Sequence, residues 1–388
     1  MKKMIAILLA AILALSWGLT ATAGGADVDE MTPVSTVIAT DAKSVILVDA
    51  GSGSVLYEQN ADEKTAPASV TKIMTLLLTM EAIDEGKLKM DDMLTVSDVA
   101  ADMGGSQVYL EPGEQMTVHD LLKCVAVASA NDAATVLAEA VAGSVDAFVA
   151  RMNERAGELG MRDTNFENPT GLDDGTVNHT TTARDIAAMS RELLRHDAIF
   201  EFTTTWMDTV RDGSFGLTNT NRLVRFYRGC NGLKTGYTSK AKYCISACAK
   251  RDGLQLIAVV LGSATRDNRN QTAKELLDYG FANFAAFVST PEIPESLSVT
   301  GGMADNIPIT AEPFSALLPK GKEKSVRTEI ILPDAIAAPI AEGDPVGKIE
   351  YYLDENCIGS TDIRAAGTVA HISFLSQFLR LLKSGLYL

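Results

Sequence analysis

Cysteine and histidine are scarce in this chain of 388 residues, and the scarcity narrows its chemistry. The five cysteines, Cys124, Cys230, Cys244, Cys248 and Cys357, are too few and too scattered for a disulfide framework, and their odd number leaves at least one unpaired. Cys244 and Cys248 share a face of a segment that reads as strand but stand too far apart along it for an easy bridge, so both are expected as buried thiols. The four histidines, His119, His179, His196 and His371, form no close-spaced ligand motif. A zinc hydrolase is disfavoured, and neither metal nor other cofactor is expected. Basic residues are outnumbered 34 to 50, a formal charge of −16, which argues against nucleic acid as a partner. Internal repeats and low-complexity tracts are also missing.

What is present begins with Lys2 and Lys3, an apolar run from Met4 to Leu15, and Ala21-Thr22-Ala23 before Gly24. These are the three parts of a secretory signal; the run is short for a membrane span and a small-x-small cleavage site follows it. The expectation is an exported protein whose residues 1–23 are removed, with no cysteine at the cleavage site to carry a lipid. Removal takes the charge from −16 to −18, because Lys2 and Lys3 leave and no acid does. Residues 24–40 read as a leader, and 46% hydrophobic content suffices for a sizeable core in 41–290 plus a smaller unit.

The first domain is organised around Ser69-x-x-Lys72. Proline and small residues lead into good helix formers, and Gly86 follows, so Val70 to Glu85 reads as one helix. Positions three apart share a face, which puts the Lys72 amine within reach of the Ser69 hydroxyl. The residues after Lys72 are apolar on nearly every side; the helix is expected to be buried, and burial lowers a lysine pKa towards that of a base. The helix N-terminus adds N–H groups where an oxyanion would form. A second copy, Ser239 to Lys242, lies in a stretch that reads as strand. Further on, a helical pattern from Val118 to Ala128 delivers Ser129-x-Asn131, Thr182 with Asp185 makes a capping box, and Arg251-Asp252-Gly253 marks a hairpin. Lys234-Thr235-Gly236 sits between, and a helix from Thr272 to Phe287 closes the domain. From about Pro291 short β-rich runs take over, an all-β unit over 291–370.

Ser-x-x-Lys, Ser-x-Asn and Lys-Thr-Gly in this order are the motif set of penicillin-binding proteins and class A β-lactamases. With Pro67-Ala-Ser-Val-Thr-Lys-Ile-Met-Thr75, Ser129-Ala-Asn-Asp-Ala133, Asn168-Pro-Thr-Gly-Leu-Asp173 and Asn231-Gly-Leu-Lys-Thr-Gly-Tyr-Thr238, the chain resembles the serine D-alanyl-D-alanine carboxypeptidases, the low-molecular-weight penicillin-binding proteins, over roughly residues 40–385. The resemblance implies an α/β (α+β) serine β-lactamase/transpeptidase-like catalytic domain, a small all-β domain and a C-terminal amphipathic helix. It implies removal of the terminal D-alanine from peptidoglycan stem peptides ending in D-Ala-D-Ala, with β-lactams as covalent inhibitors. Ser69 would be the nucleophile, Lys72 its base, Ser129 a proton relay to the leaving amine, and Asn131 the group that holds the substrate amide and the lysine in register. Lys234 and Thr235 would hold the free carboxylate, helped by Arg269. Gly236 would admit an extended peptide along an edge strand, and the Tyr237 N–H would join that of Ser69 in the oxyanion hole. Ser106 matches a serine of the loop bordering the cleft.

Two other readings compete. A class A β-lactamase would need a deacylating glutamate, and Glu167 is the only acid in the corresponding loop that could imitate it. A non-catalytic wall-binding or β-lactam-sensing protein would tolerate loss of Lys72 or Lys234, and both are present. Cys230, four residues before Lys234, reads either as a core thiol or as a thiol near the cleft. Finally, residues 371–388 project Ile372, Phe374, Leu375, Phe378, Leu379, Leu381, Leu382 and Leu386 on one half of a helix and Arg380 and Lys383 on the other. This is the pattern of a helix lying on a membrane surface, here the outer face of the cytoplasmic membrane.

Overall fold

The computed structural model describes residues 38–385. The expected signal segment and most of the 24–40 leader lie outside the described residues. Ser44–Asp49 is apolar from Val45 to Val48 and buried along its whole length, as a central strand must be. It pairs antiparallel with Val55–Gln59 on one side and Leu254–Ser263 on the other, and Lys242–Arg251 and Cys230–Thr238 complete a five-stranded antiparallel sheet. Asp252 and Gly253 turn the 251–254 hairpin with positive φ at both positions (48° and 84°), as the Asp-Gly pair predicts. Cys230–Thr238 is the edge strand, so one side of the Lys-Thr-Gly segment is unpaired.

Both faces of the sheet are covered. Arg266–Asn283 packs on one, where a side chain at Gly280 would meet Leu47 and Leu256. Ala183–Leu193 packs on the other, its Ser190 hydroxyl 2.8 Å from that of Ser246, and its N-terminus is capped by Thr182, whose Oγ1 accepts the Asp185 N–H. Lys72–Asp84 lies against this helix and Asn131–Ala142, and ten of its residues are buried, from Lys72 to Ala82. A helix so enclosed needs no amphipathic stripe.

The structure departs from the expected elements where long-range packing decides. Ser69 is not at the mouth of the α-helix: Ala68–Thr71 is a 3-10 turn, and the α-helix starts at Lys72. The closing helix starts earlier than expected, at Arg266, because the Thr265 hydroxyl caps it through the Asn268 N–H, and it ends at Asn283. Phe284–Ser289 is a strand paired with Phe314–Pro319 rather than a last helical turn. Of the second Ser-x-x-Lys copy, residues 239–241 form a hairpin turn and Lys242 opens the following strand, with Ser239 and Lys242 exposed.

The chain separates into two units. One runs to Val288 and takes back Ser315–Lys324; the other comprises Ser289–Phe314 and Ser325 onward. The second is built on a six-stranded sheet whose buried face includes Leu297, Ile307, Ile349 and Ile363, with Phe314 stacked on the buried Tyr351 at 4.1 Å. It ends in a helix, Phe374–Gly385.

Candidate active site

The nucleophile turn is tight because two glycines press on it. A side chain at Gly236 would lie 3.0 Å from Ala68 Cβ, the Pro67 carbonyl and the Ser69 nitrogen. A side chain at Gly171 would collide with the Ala68 carbonyl. Gly236 was expected to make room for a peptide; what its missing side chain admits is the nucleophile turn itself. Ala68 is held at φ +49°, outside the usual range of an alanine, and next to it Ser69 stays partly exposed.

Lys72, fully buried, lies one turn away with its amine 3.1 Å from Ser69 Oγ, 2.5 Å from Asn131 Oδ1 and 2.8 Å from the Thr170 carbonyl. The Asn131 amide is oriented by its Nδ2, which donates to the Gly104 carbonyl at 2.7 Å, so its oxygen faces the lysine. Asn131 Oδ1 and the Thr170 carbonyl can only accept. They fix two amine hydrogens, and in the neutral amine the remaining position, a lone pair, points at the serine hydroxyl. Burial drives the Lys72 pKa well below the ordinary lysine range, the nearby Lys234 charge lowers it further, and Asp132 opposes both. Asp132 itself accepts the main-chain N–H groups of Val108 and Leu110, which anchors the segment after Ser106.

The π-helical turn Cys124–Ala128 ends in Ser129, which is buried and left-handed at φ +64°. Its hydroxyl has no hydrogen-bond partner among the described residues, so it is available to a substrate. The Asn131 N–H donates to the Ser106 carbonyl at 2.7 Å. The main chain of Ser106 thus joins the site, while its side chain is exposed.

Lys234 pairs with Ser246, whose hydroxyl contacts Ser190, so Lys234 and Gly236 face the side of the sheet covered by the Ala183–Leu193 helix. It is buried, donates to the Thr235 carbonyl at 2.9 Å, and is pushed down to about 7 by burial and then by Arg269. Thr235 alternates to the other face and meets the exposed Thr220 hydroxyl at 2.8 Å. Arg269 is buried beneath, bonded to Asn270 Oδ1 and the Cys244 carbonyl, and burial lowers it to about 10. Among the described residues, Lys72, Lys234 and Arg269 hydrogen-bond to neutral oxygens and pair with no carboxylate. In a protein of net charge −16, Lys234 and Arg269, two buried cationic groups without a counter-ion, make an anion site. Tyr237, half-exposed beyond Gly236, lies against Tyr243 with ring centroids 4.4 Å apart and planes tilted by 35°.

Several groups escaped the sequence reading. Asn168 Oδ1 accepts from the N–H groups of Thr170 and Gly171, shaping the loop that offers the Thr170 carbonyl to Lys72. The Asn-Pro-Thr-Gly string was the signal for it: an Asx turn beside a proline. His179 is buried; its Nδ1 accepts the Glu167 N–H, so Nε2 carries the proton and donates to Thr71 Oγ1 at 2.8 Å. Burial lowers its pKa to about 4, Lys240 assists, and Glu167 and Asp173 oppose. The Glu167 carboxylate closes its own loop by accepting from Val177 and Asn178, which removes the one candidate for a β-lactamase deacylating base. Cys230 is a buried core thiol, raised to about 11 mainly by burial, and Cys244 and Cys248 are buried as expected.

A serine on a tight turn, a buried lysine beside it, and uncompensated cations under an open strand edge define a serine hydrolase acting on substrates with an anionic end. The profile of the D-alanyl-D-alanine carboxypeptidases matches residues 30–265, and that of the C-terminal domain of penicillin-binding protein 5 matches residues 287–371. The chain is 40% identical to the D-alanyl-D-alanine carboxypeptidase DacF of Bacillus subtilis over 98% of both chains. It is also similar to penicillin-binding protein 5 of Haemophilus influenzae (TM-score 0.71, 32% identity, 87% of this chain and 99% of that one). Penicillin-binding protein D2 of Listeria monocytogenes, solved with ampicillin bound, matches with a TM-score of 0.59 at 32% identity, over 63% of this chain and 100% of that one. The chain belongs to the serine D-alanyl-D-alanine carboxypeptidase family, and its activity is that of a serine peptidase.

Proposed function

We propose that the protein releases the terminal D-alanine from peptidoglycan stem peptides through an acyl-enzyme on Ser69. The observation that carries this is the Lys72 amine, held by two obligate acceptors with its third position 3.1 Å from Ser69 Oγ. The serine oxygen attacks the carbonyl between the two D-alanines and its proton passes to Lys72. The C–N bond breaks as the leaving amine takes a proton by way of Ser129, and water then hydrolyses the ester. The N–H groups of Ser69 and Tyr237 hold the oxyanion, and Lys234, Thr235 and Arg269 receive the free carboxylate. A β-lactam follows the same path but keeps its leaving amine tethered, so the acyl group stays. Peptide mapping after benzylpenicillin should find the adduct on Ser69, and Lys72→Arg should abolish it, since a guanidinium does not serve as base. An adduct on Ser239, or normal acylation of Lys72→Arg, would refute the assignment.

The same proposal makes the protein an exported enzyme at the outer face of the cytoplasmic membrane. Supporting this, Phe374, Leu375, Phe378 and Leu379 are 88%, 67%, 49% and 50% exposed on one face of the last helix. Among the described residues no single helix is long and apolar enough to cross a membrane, and the exposed apolar face of this one suits the surface-lying mode. Because the Ile372 N–H is bonded to the Gly301 carbonyl, truncation after Ser373 spares the β domain. The truncated protein should leave the membrane fraction and still release D-alanine; sedimentation with membranes would remove the helix from the anchor role.

A further inference from the structure

The hairpin that follows the Lys-Thr-Gly segment carries two lysines that the proposed reaction does not use. Lys240 stands at its tip and Lys242 at the start of the returning strand; both are exposed, and neither pairs with a carboxylate among the described residues. Lys242 is left-handed at φ +60°, a conformation in which glycine would be at ease and a long side chain is not. A lysine kept there despite its backbone cost asks for a reason. On either side of the turn, the Tyr237 and Tyr243 rings lie against each other at a 35° tilt, with Tyr237 53% exposed.

The direction of the substrate gives the hairpin its place. The free carboxylate belongs at Lys234 and Thr235 and the scissile carbonyl at the N–H of Tyr237, so an extended peptide on this edge runs backwards from its C-terminus past Thr238. At about 3.3–3.6 Å per residue, the residue preceding the two D-alanines comes level with the hairpin turn. The tip is close enough to the Glu167–His179 loop for Lys240 to act on His179. The acids of that loop, Asp173 and Asp174, form no ion pair with Lys240 or Lys242 among the described residues, so both ammonium groups are open to a ligand.

We infer that Lys240 and Lys242, at the turn that ends the substrate-binding edge, form a subsite for a carboxylate on the side chain of the residue preceding D-Ala-D-Ala. The inference rests on the proposed peptidase reading and adds to it a preference for acidic acyl chains.

The test compares two peptides that differ in one charge, Nα-acetyl-Nε-succinyl-L-lysyl-D-Ala-D-Ala and the same peptide with the succinyl carboxylate as its amide. Exposed pairs of this kind are worth roughly two- to fivefold each, so kcat/KM for D-alanine release should favour the acid roughly tenfold at low salt. The ratio should collapse towards one in about 1 M salt, where the screening length is about 3 Å. It should also collapse in the Lys240→Gln/Lys242→Gly double variant. Glycine suits the left-handed position, so this variant keeps its fold, and Lys242→Gly alone should be at least as stable as the parent. A ratio near one in the parent protein, or a preference that survives in the double variant, overturns the subsite. Release of D-alanine from neither peptide by the parent would overturn the peptidase reading itself, and the subsite with it.

Discussion

His179 makes the active-site loop sensitive to acid, and the size of the effect follows from its burial. Its imidazole is neutral, with Nδ1 taking the Glu167 N–H and Nε2–H given to Thr71, the residue before Lys72. The folded pKa is lowered from 6.5 to about 4, so between those values the unfolded chain binds a proton that the folded chain does not. Stability contributed by the neutral ring is therefore complete above about pH 6.5 and is lost as the pH falls to about 4. The gap of about 2.5 pH units, at about 1.4 kcal/mol each, amounts to about 3 kcal/mol, of which about 2 kcal/mol is gone at pH 5. Trp206 lies in the catalytic unit and Trp17 in the expected signal segment, so tryptophan fluorescence of the mature protein in urea reads this unit alone. His179 should account for about 2 kcal/mol of the drop in unfolding free energy between pH 7.5 and pH 5, beside the share of Lys234, which titrates near 7. In His179→Gln, whose amide keeps one donor and one acceptor but takes no proton, the drop should shrink by that amount. Acylation by benzylpenicillin should follow the same limb, because the loop that bonds His179 also holds the Thr170 carbonyl against Lys72. A flat profile in the parent protein, or an unchanged slope in the variant, would refute the argument.

Short-range signals carried much of this structure. Three motifs in order, the Asp-Gly turn at 252–253, the Thr182 cap and the change of texture near Pro291 were all legible, because each is set by neighbours a few residues away. The shape of the nucleophile turn was not. Ala68–Thr71 is wound into a 3-10 turn under pressure from Gly171 and Gly236, which lie more than a hundred positions along the chain, and helix periodicity has no access to such contacts. For the same reason the sequence pointed to Lys72 but not to the Thr170 carbonyl that holds it: every residue has a carbonyl, and only the fold says which one is aimed. Strand alternation left Lys234 and Thr235 on opposite faces, and the sheet resolves this by burying Lys234 beneath the edge while Thr235 meets Thr220 at the rim. Ser315–Lys324 lies with the catalytic unit through the pairing of Phe314–Pro319 with Phe284–Ser289, a non-local contact that composition does not encode.

Two further perturbations separate recognition from chemistry. Arg269→Ala should slow peptides with a free terminal carboxylate by roughly 10- to 150-fold relative to their amides, the equivalent of about 1.5–3 kcal/mol for a charged hydrogen bond. Equal losses on both would make Arg269 structural, serving only Asn270 and the Cys244 carbonyl. Gly236→Ala tests where the glycine is needed. The new methyl group would sit 3.0 Å from Ala68 Cβ, the Pro67 carbonyl and the Ser69 nitrogen, and since two of these are backbone atoms the turn must yield by a few tenths of an ångström. Overpacking of this kind costs about 1–3 kcal/mol of stability, and since a 1 Å misplacement of reacting groups costs about a hundredfold, this smaller shift should slow acylation roughly tenfold. Because the displaced atoms belong to the nucleophile, benzylpenicillin acylation and D-alanine release should fall together. If penicillin acylated the variant at the parent rate while peptide turnover alone collapsed, the glycine would be serving the outer, substrate-facing side of the strand, and its contact with the Ser69 turn would carry no catalytic weight.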